Sequence, residues 1–350
     1  MRWPQISRSP RDAALTLGAG IVGAVVGWAL NAPVYVLLGP AVAVSLLGVA
    51  GMRMVVPPQL RDACFVLLGL AVGAGFDSDA LGTMIRWPLA FVVIAVMIWI
   101  TMVLSQKMLV RGFGFDAPSA LMASAPGHLS FVIAMATDSG ADVARISVTQ
   151  SVRLLSLTLV VPFAAMAMGV DVGGTVIPQG APMIWGSVLV LIVLAVLVGQ
   201  LFARLSVPAP LLIGAMVVSG AGHISGLTPG VMPTVLILPA YLVLGALIGT
   251  RFSGVTLALL ASSAGAGLAI TGVAVGLSTL AAVPVAAALG MPVAHLLVAF
   301  APGGLETMIA MGVVLGVVPG FVAACHMTRL LVLSVLLPVM LARSMALLQR

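Results

Sequence analysis

Arg153 and Arg329 stand where arginine is expensive. Each falls near the middle of a long apolar run, in Val152-Arg153-Leu154-Leu155 and Thr328-Arg329-Leu330-Leu331. A charge at the centre of a bilayer costs from ~3 to over 10 kcal/mol, so each arginine must face a partner or a wet cavity. Facing a cavity, a guanidinium is suited to bind an anionic solute, bidentately if that solute carries a carboxylate or phosphate. Facing the protein, it would hold carbonyls freed at a helix break or pair with Glu306. The sequence leaves both readings open.

Each arginine follows an Ala-Pro-Gly triplet, Ala125-Pro126-Gly127 and Ala301-Pro302-Gly303, with 26 residues from glycine to arginine in both cases. Proline removes a backbone donor and glycine frees φ, so the pair suits a sharp turn between two half-helices. The second half-helix would begin at about His128 in one case and Gly304 in the other. Its first amides lack partners and carry the positive end of the helix dipole, which attracts anions. A proline kink in an otherwise spanning helix is the simpler alternative. Glu306 follows the second triplet where Ser130 follows the first. It could carry a coupling proton, since burial raises a carboxylic pKa; a permanent counter-ion to Arg329 or Arg153 is the preferred reading. The candidate solute-binding residues are therefore Pro126, Gly127, His128, Ser130, Arg153, Pro302, Gly303, Gly304, Glu306 and Arg329.

His128, His295 and His326 lie in or beside the same segments, and His223 lies near a helix end. They lack the close spacing of a metal-ligand set, and no cysteine or acidic cluster joins them, so no metal site and no cofactor are expected. His326 precedes Arg329 by three residues and shares its helix face. A hydrogen-bonded or proton-relay histidine, with Glu306 as the other relay candidate, fits better. Ser124, Thr149, Gln150 and Thr328 could add neutral hydrogen bonds. Cys64 and Cys325 sit in apolar surroundings and form no redox motif.

The elements that position these groups come twice. Shifting the sequence by 176 places lays Pro57 on Pro233, Gly69 on Gly245, Phe76 on Phe252, Arg153 on Arg329 and Pro162 on Pro338 without a gap. Six apolar segments are legible per half: 12–30, 34–51, 60–76, 87–106, 117–138 and 142–169, then 182–203, 208–224, 233–251, 256–282, 292–314 and 318–345. The halves are residues 1–170 and 182–350, joined by the turn-rich linker 171–181. Hydrophobic residues make up 62% of the chain and charged ones 7%, against roughly 25% charged in soluble domains. The fold class is thus an all-α polytopic membrane protein. The net charge of +6 does not indicate a nucleic-acid partner, because the basic residues are scattered singly without interleaved aromatics.

The loop charges do not repeat: Arg53, Arg61, Arg86, Lys107 and Arg111 face neutral residues in the other half, as do Arg204, Arg251 and Arg343. Two copies of one fold with positive charge at different loops are expected to lie in opposite orientations. Six crossings per half would make them parallel, so the fifth segment, broken by Ala-Pro-Gly, should re-enter. The expected architecture is two inverted-topology repeats, each of about five transmembrane helices plus one broken, re-entrant hairpin. Both termini are then cytoplasmic. Arg53, Arg61, Lys107, Arg111, Arg145, Arg204, Arg251, Arg343 and Arg350 fall inside, Asp77, Asp79 and Asp171 fall outside, and Arg86 is the exception. The polar first ten residues show no cleavable signal pattern, and the first apolar run reads as a retained helix.

The duplicated Ala-Pro-Gly block followed by an arginine in the next helix resembles the AbrB-type bacterial inner-membrane proteins over nearly the whole chain. Members are often labelled ammonia monooxygenase-like, and some carry a gene-regulation label. The resemblance implies a bacterial inner-membrane location and, through the wider group of inverted-repeat carriers, transport. An enzyme is not expected: a copper or iron monooxygenase needs clustered histidine or carboxylate ligands, and here four histidines are dispersed. The leading expectation is a secondary transporter for a small anionic or zwitterionic solute, embedded in the lipid bilayer, with a homodimer as the candidate assembly. The alternative is a non-transporting membrane sensor or regulator that binds a small ligand in the same pocket.

Overall fold

The computed structural model describes residues 9–76, 87–127, 129–168 and 180–348. Arg2, Arg8, Asp77, Asp79, Arg86, His128, Asp171 and Arg350 lie outside the described residues, as does most of the linker. The described chain is helical throughout: α1 (Pro10–Ala29), α2 (Tyr35–Val49), α3 (Pro58–Gly73), α4 (Pro88–Phe113), α5 (Ala117–Ser124), α6 (Leu129–Ser139) and α7 (Val143–Ala167), then α8 (Trp185–Arg204), α9 (Pro210–Ile224), α10 (Thr234–Gly249), α11 (Leu257–Leu289), α12 (Val293–Phe300), α13 (Leu305–Val314) and α14 (Pro319–Leu348). A single 3-10 turn, Thr250–Phe252, extends α10. Seven of these helices (α1, α4, α7, α8, α10 with its turn, α11 and α14) are long and apolar enough to cross a membrane. Their outward faces carry Ile21, Val22, Val25 and Trp28 on α1, and Leu189, Val190, Val193 and Leu197 on α8, all exposed. The chain is a multi-pass membrane protein.

The element order of α1–α7 recurs in α8–α14. The short pair α5 and α6 has its counterpart in α12 and α13, each pair interrupted at Ala-Pro-Gly. Two boundaries lie seven residues beyond the sequence reading. Helix α4 runs seven residues past 106, through Lys107 and Arg111, and α11 runs past Pro284 to Leu289. Both stop at a glycine in the left-handed region, Gly114 (φ 63°) and Gly290 (φ 67°). Lysine and arginine near a helix end do not terminate it, because they reach for the interface while the backbone continues; a left-handed glycine does terminate it. Helices α2, α3 and α9 have 15 or 16 residues. At 1.5 Å per residue they are shorter than the ~30 Å hydrocarbon core.

The helices sort into two bundles. In one, α3 packs against α9 and α10 against α2, flanked by α1 and α8; in the other, α4 and α11 stand together with α5–α7 and α12–α14 around them. The first bundle is built by exchange between the halves. A Cβ added at Gly69 of α3 would collide with the Leu212 carbonyl of α9, and one at Gly245 of α10 with the Leu37 carbonyl of α2. Leu37 and Leu212 are the third residues of their helices, so the contact is made twice by equivalent residues, as a two-fold relation requires. Small residues at such crossings let backbones approach where no hydrophobic force between helices exists.

Two hydrogen bonds fix directions. The Met54 amide, just before α3, donates to Ser253 Oγ, just after α10, at 3.0 Å. The start of α3 and the end of its counterpart α10 therefore lie together, and the two equivalent helices run in opposite directions. The Asp142 amide, after α6, donates to Ser119 Oγ at the start of α5 at 3.1 Å. The first broken segment thus returns to the end from which it entered. Asp116 Oδ2, accepting from the Ser119 amide, caps the start of α5, as Asp142 caps α7, each satisfying a donor that the helix cannot.

Candidate functional site

Both Ala-Pro-Gly breaks fold the same way. The Gly127 amide donates to the Ala125 carbonyl at 3.0 Å, and the Gly303 amide to the Ala301 carbonyl at 2.9 Å. Each proline is therefore the centre of a three-residue turn. This ends α5 and α12 inside the protein and leaves terminal carbonyls without helical partners. The arginines supply them. Arg153 Nη1 donates to the Ala125 carbonyl at 3.1 Å, and Arg329 Nη1 to the Ala301 carbonyl at 3.2 Å. Arg329 adds a second bond, from Nη2 to the Gly303 carbonyl at 2.8 Å. A cation at a helix C-terminus also suits the dipole. Of the readings open in the sequence, the one in which the arginines hold freed carbonyls is realised at both positions.

Carbonyl binding does not exhaust these guanidinium groups. Arg153 and Arg329 are 2% and 3% exposed, and the Nε of each has no hydrogen-bond partner. The two cations are near enough to repel one another. Among the described residues the only ion pair is Arg61–Asp62 at 2.7 Å. The expected pairing of Glu306 with Arg329 or Arg153 is therefore corrected: the carboxylate lies on the same cavity as Arg329 but is drawn instead toward Arg251. The reason is positional. Glu306 is in the first turn of α13, beyond the break, while the guanidinium groups are held at the carbonyls of the break itself.

The cavity holds about 110 Å³ and is lined by Gly127, Leu129, Leu154, Ala209, Arg251, Gly303, Gly304, Leu305, Glu306, Arg329 and Leu330. Arg251 and Ala209 belong to the first bundle and the others to the second, so the cavity sits on the seam between bundles. It brings together Gly127, Gly303, Gly304, Glu306 and Arg329. It does not include Arg153, Pro126 or Pro302, which are buried behind it. Nothing is described for the Ser130 side chain. Ala209, Arg251 and Glu306 also line a wider vestibule of about 520 Å³, bordered by Arg61, Asp62, Phe65 and Gln200. The inner cavity thus continues outward past Arg251 and Glu306.

The remaining candidates have other places. His326 takes the position of Gln150 in the repeat. Gln150 Nε2 donates to the Met122 carbonyl at 2.8 Å; His326 is fully buried beside the Val298 backbone, with neither ring nitrogen in a well-formed hydrogen bond, and does not line the cavity. His223 is held by the Ser219 and Gly230 carbonyls at 2.8 and 2.9 Å, which ties the end of α9 to the following loop. Ser124 and Thr149 are buried, and the Ser124 hydroxyl donates to the Ala120 carbonyl of its own helix. Cys64 and Cys325 are buried and unpaired. Sequence reading treated Arg251 only as a topological charge. The signal was its lack of a counterpart, since Gly75 stands at the equivalent place in the first half. Ala209 gave no signal: it precedes α9 with φ 45°, as Val34 precedes α2 with φ 49°, and neither is a residue type that favours that region.

The family model described as "Transition state regulatory protein AbrB" matches residues 36–344, from the first residues of α2 into α14. The chain belongs to the AbrB family. Both Ala-Pro-Gly breaks and both buried arginines of this AbrB-family protein fall within the match. It is 26% identical over 235 residues to "Putative regulator AbrB" of Escherichia coli (strain K12), covering 64% of this chain and 65% of that protein. The matched region thus spans just under two thirds of the Escherichia coli relative. It is 28% identical over 298 residues to "Uncharacterized protein YhjN" of Bacillus subtilis (strain 168), covering 78% of this chain and 75% of that one.

Proposed function

We propose that this AbrB-family protein is a secondary transporter for a small anionic or zwitterionic solute in the bacterial inner membrane, working by alternating access. The observation that carries the reading is the position of Arg329: a buried cation with a free Nε, on a cavity between two helix bundles where both broken helices meet. Inverted-repeat transporters bind near the midplane at discontinuous helices, and one bundle rocks against the other. Opposed α3 and α10 support inverted halves. Both termini are then cytoplasmic, and the vestibule beside Arg61 and Arg251 opens inward under the positive-inside rule. No catalytic chemistry is assigned to the site. Purified protein in proteoliposomes should accumulate labelled small anions, and Arg329→Gln should reduce the flux at least tenfold. Intact vesicles showing no flux across a broad panel of anions and zwitterions would contradict transport.

The regulator in the Escherichia coli relative's name favours a second reading, a non-transporting sensor that binds its ligand in the same cavity. Ligand-dependent gene expression with no flux in vesicles would select it.

A further inference from the structure

Resting on the reading that the seam cavity is a solute site, we infer that it takes a short-chain monocarboxylate, with Arg329 on its wall as the anchor for the carboxylate.

Three properties of the cavity converge on that class. The first is an unmet donor. Arg329 lines the cavity and is only 3% exposed, and of its five N–H groups one on Nη1 and one on Nη2 are bonded, to the Ala301 and Gly303 carbonyls, while Nε has no partner. A buried donor without an acceptor is costly, and a charged acceptor relieves it best. The second is charge. Glu306 and Arg251 attract one another where the cavity meets the vestibule, so their charges offset. One positive charge remains on the wall, which matches one negative charge on the ligand. A second carboxylate would exceed that single positive charge, and an ammonium group would add to it. The third is the rest of the wall. Beside the glycines of the two breaks, Leu129, Leu154, Leu305 and Leu330 present no side-chain donor or acceptor, which suits an apolar tail on the carboxylate. The cavity's 110 Å³ is smaller than the ~150 Å³ that accommodates benzene, which limits that tail to a few carbons.

The test is a binding profile of the full-length protein in nanodiscs, read by calorimetry with acetate, propionate, butyrate, benzoate, succinate, glycine and chloride. Affinity should peak among the two- to four-carbon monocarboxylates and fall at least tenfold for benzoate, succinate, glycine and chloride. Leu154→Ala, which enlarges the apolar end, should move the optimum to a longer chain. Glu306→Gln, which leaves the charge of Arg251 without its offset, should raise the succinate-to-propionate affinity ratio at least tenfold. These two variants leave the carbonyl bonds of Arg329 in place, so the test does not depend on an arginine variant that may not fold. Tightest binding of succinate, glycine or chloride, or an unchanged chain-length profile in Leu154→Ala, would overturn the proposal. Monocarboxylate binding without flux contradicts transport and leaves this assignment standing. Flux of another solute class without monocarboxylate binding contradicts this assignment alone.

Discussion

A guanidinium buried among helices needs acceptors for its donors, and Arg153 and Arg329 find theirs in the carbonyls of the helix breaks. Hydrogen bonds to a charged group contribute about 1.5–3 kcal/mol each. Arg153 makes one to a tip carbonyl and lines neither the seam cavity nor the vestibule, so Arg153→Ala acts on stability: it should destabilise the protein by about 3 kcal/mol, through a carbonyl left without its donor. Unfolding of the purified protein in detergent measures this, and its binding profile should keep the rank order of the intact chain. The arginine positions were legible because charge in an apolar run is conspicuous. Their spacing from Ala-Pro-Gly was legible too. The division of labour between them was not. Two equivalent residues have equivalent sequence surroundings, and only the packing of Arg251, Ala209 and Glu306 around the second break makes one of them a cavity wall and the other a buried strut.

Close approach of helices governs the next scale. At Gly69 and Gly245 the neighbouring carbonyl occupies the space of a side chain. Gly69→Val and Gly245→Val must each push two backbones apart and should each destabilise the fold by about 3 kcal/mol or more. Their near-equality is the mark of the exchanged contact. Gly18→Ala, on open space, should be neutral or slightly stabilising by helix propensity. Thermal melting of the three variants side by side checks this. The pairing of glycines in the repeat was visible in the sequence, whereas their partners were not, because an apolar run does not say which helix it faces. The helix ends at Gly114 and Gly290 were missed for a different reason. Helix α4 continues through Lys107 and Arg111 and α11 through Pro284, and a left-handed glycine stops each.

For the whole molecule, the opposed directions of α3 and α10 carry the most weight, because they place Arg61 and Arg251 on one vestibule. Cysteines introduced at positions 61 and 251 should react with an impermeant maleimide from the same side of an oriented membrane, the cytoplasmic one. Labelling from opposite sides would contradict the inverted arrangement. The duplication, the all-helical class and the broken fifth segment follow from composition and from the 176-residue shift. The division into two bundles does not, since each bundle draws helices from both halves and no single stretch of chain reveals the exchange.

A cavity on the seam between those bundles should open alternately to the two sides, and Gly304 lines it. The most direct measurement is labelling of a Gly304→Cys variant, with Cys64 and Cys325 replaced by serine, by an impermeant maleimide added to either face of oriented vesicles. Reaction from both faces, slowed on both by a bound solute, is the expected result. Reaction from one face only, whatever solute is present, would contradict alternating access.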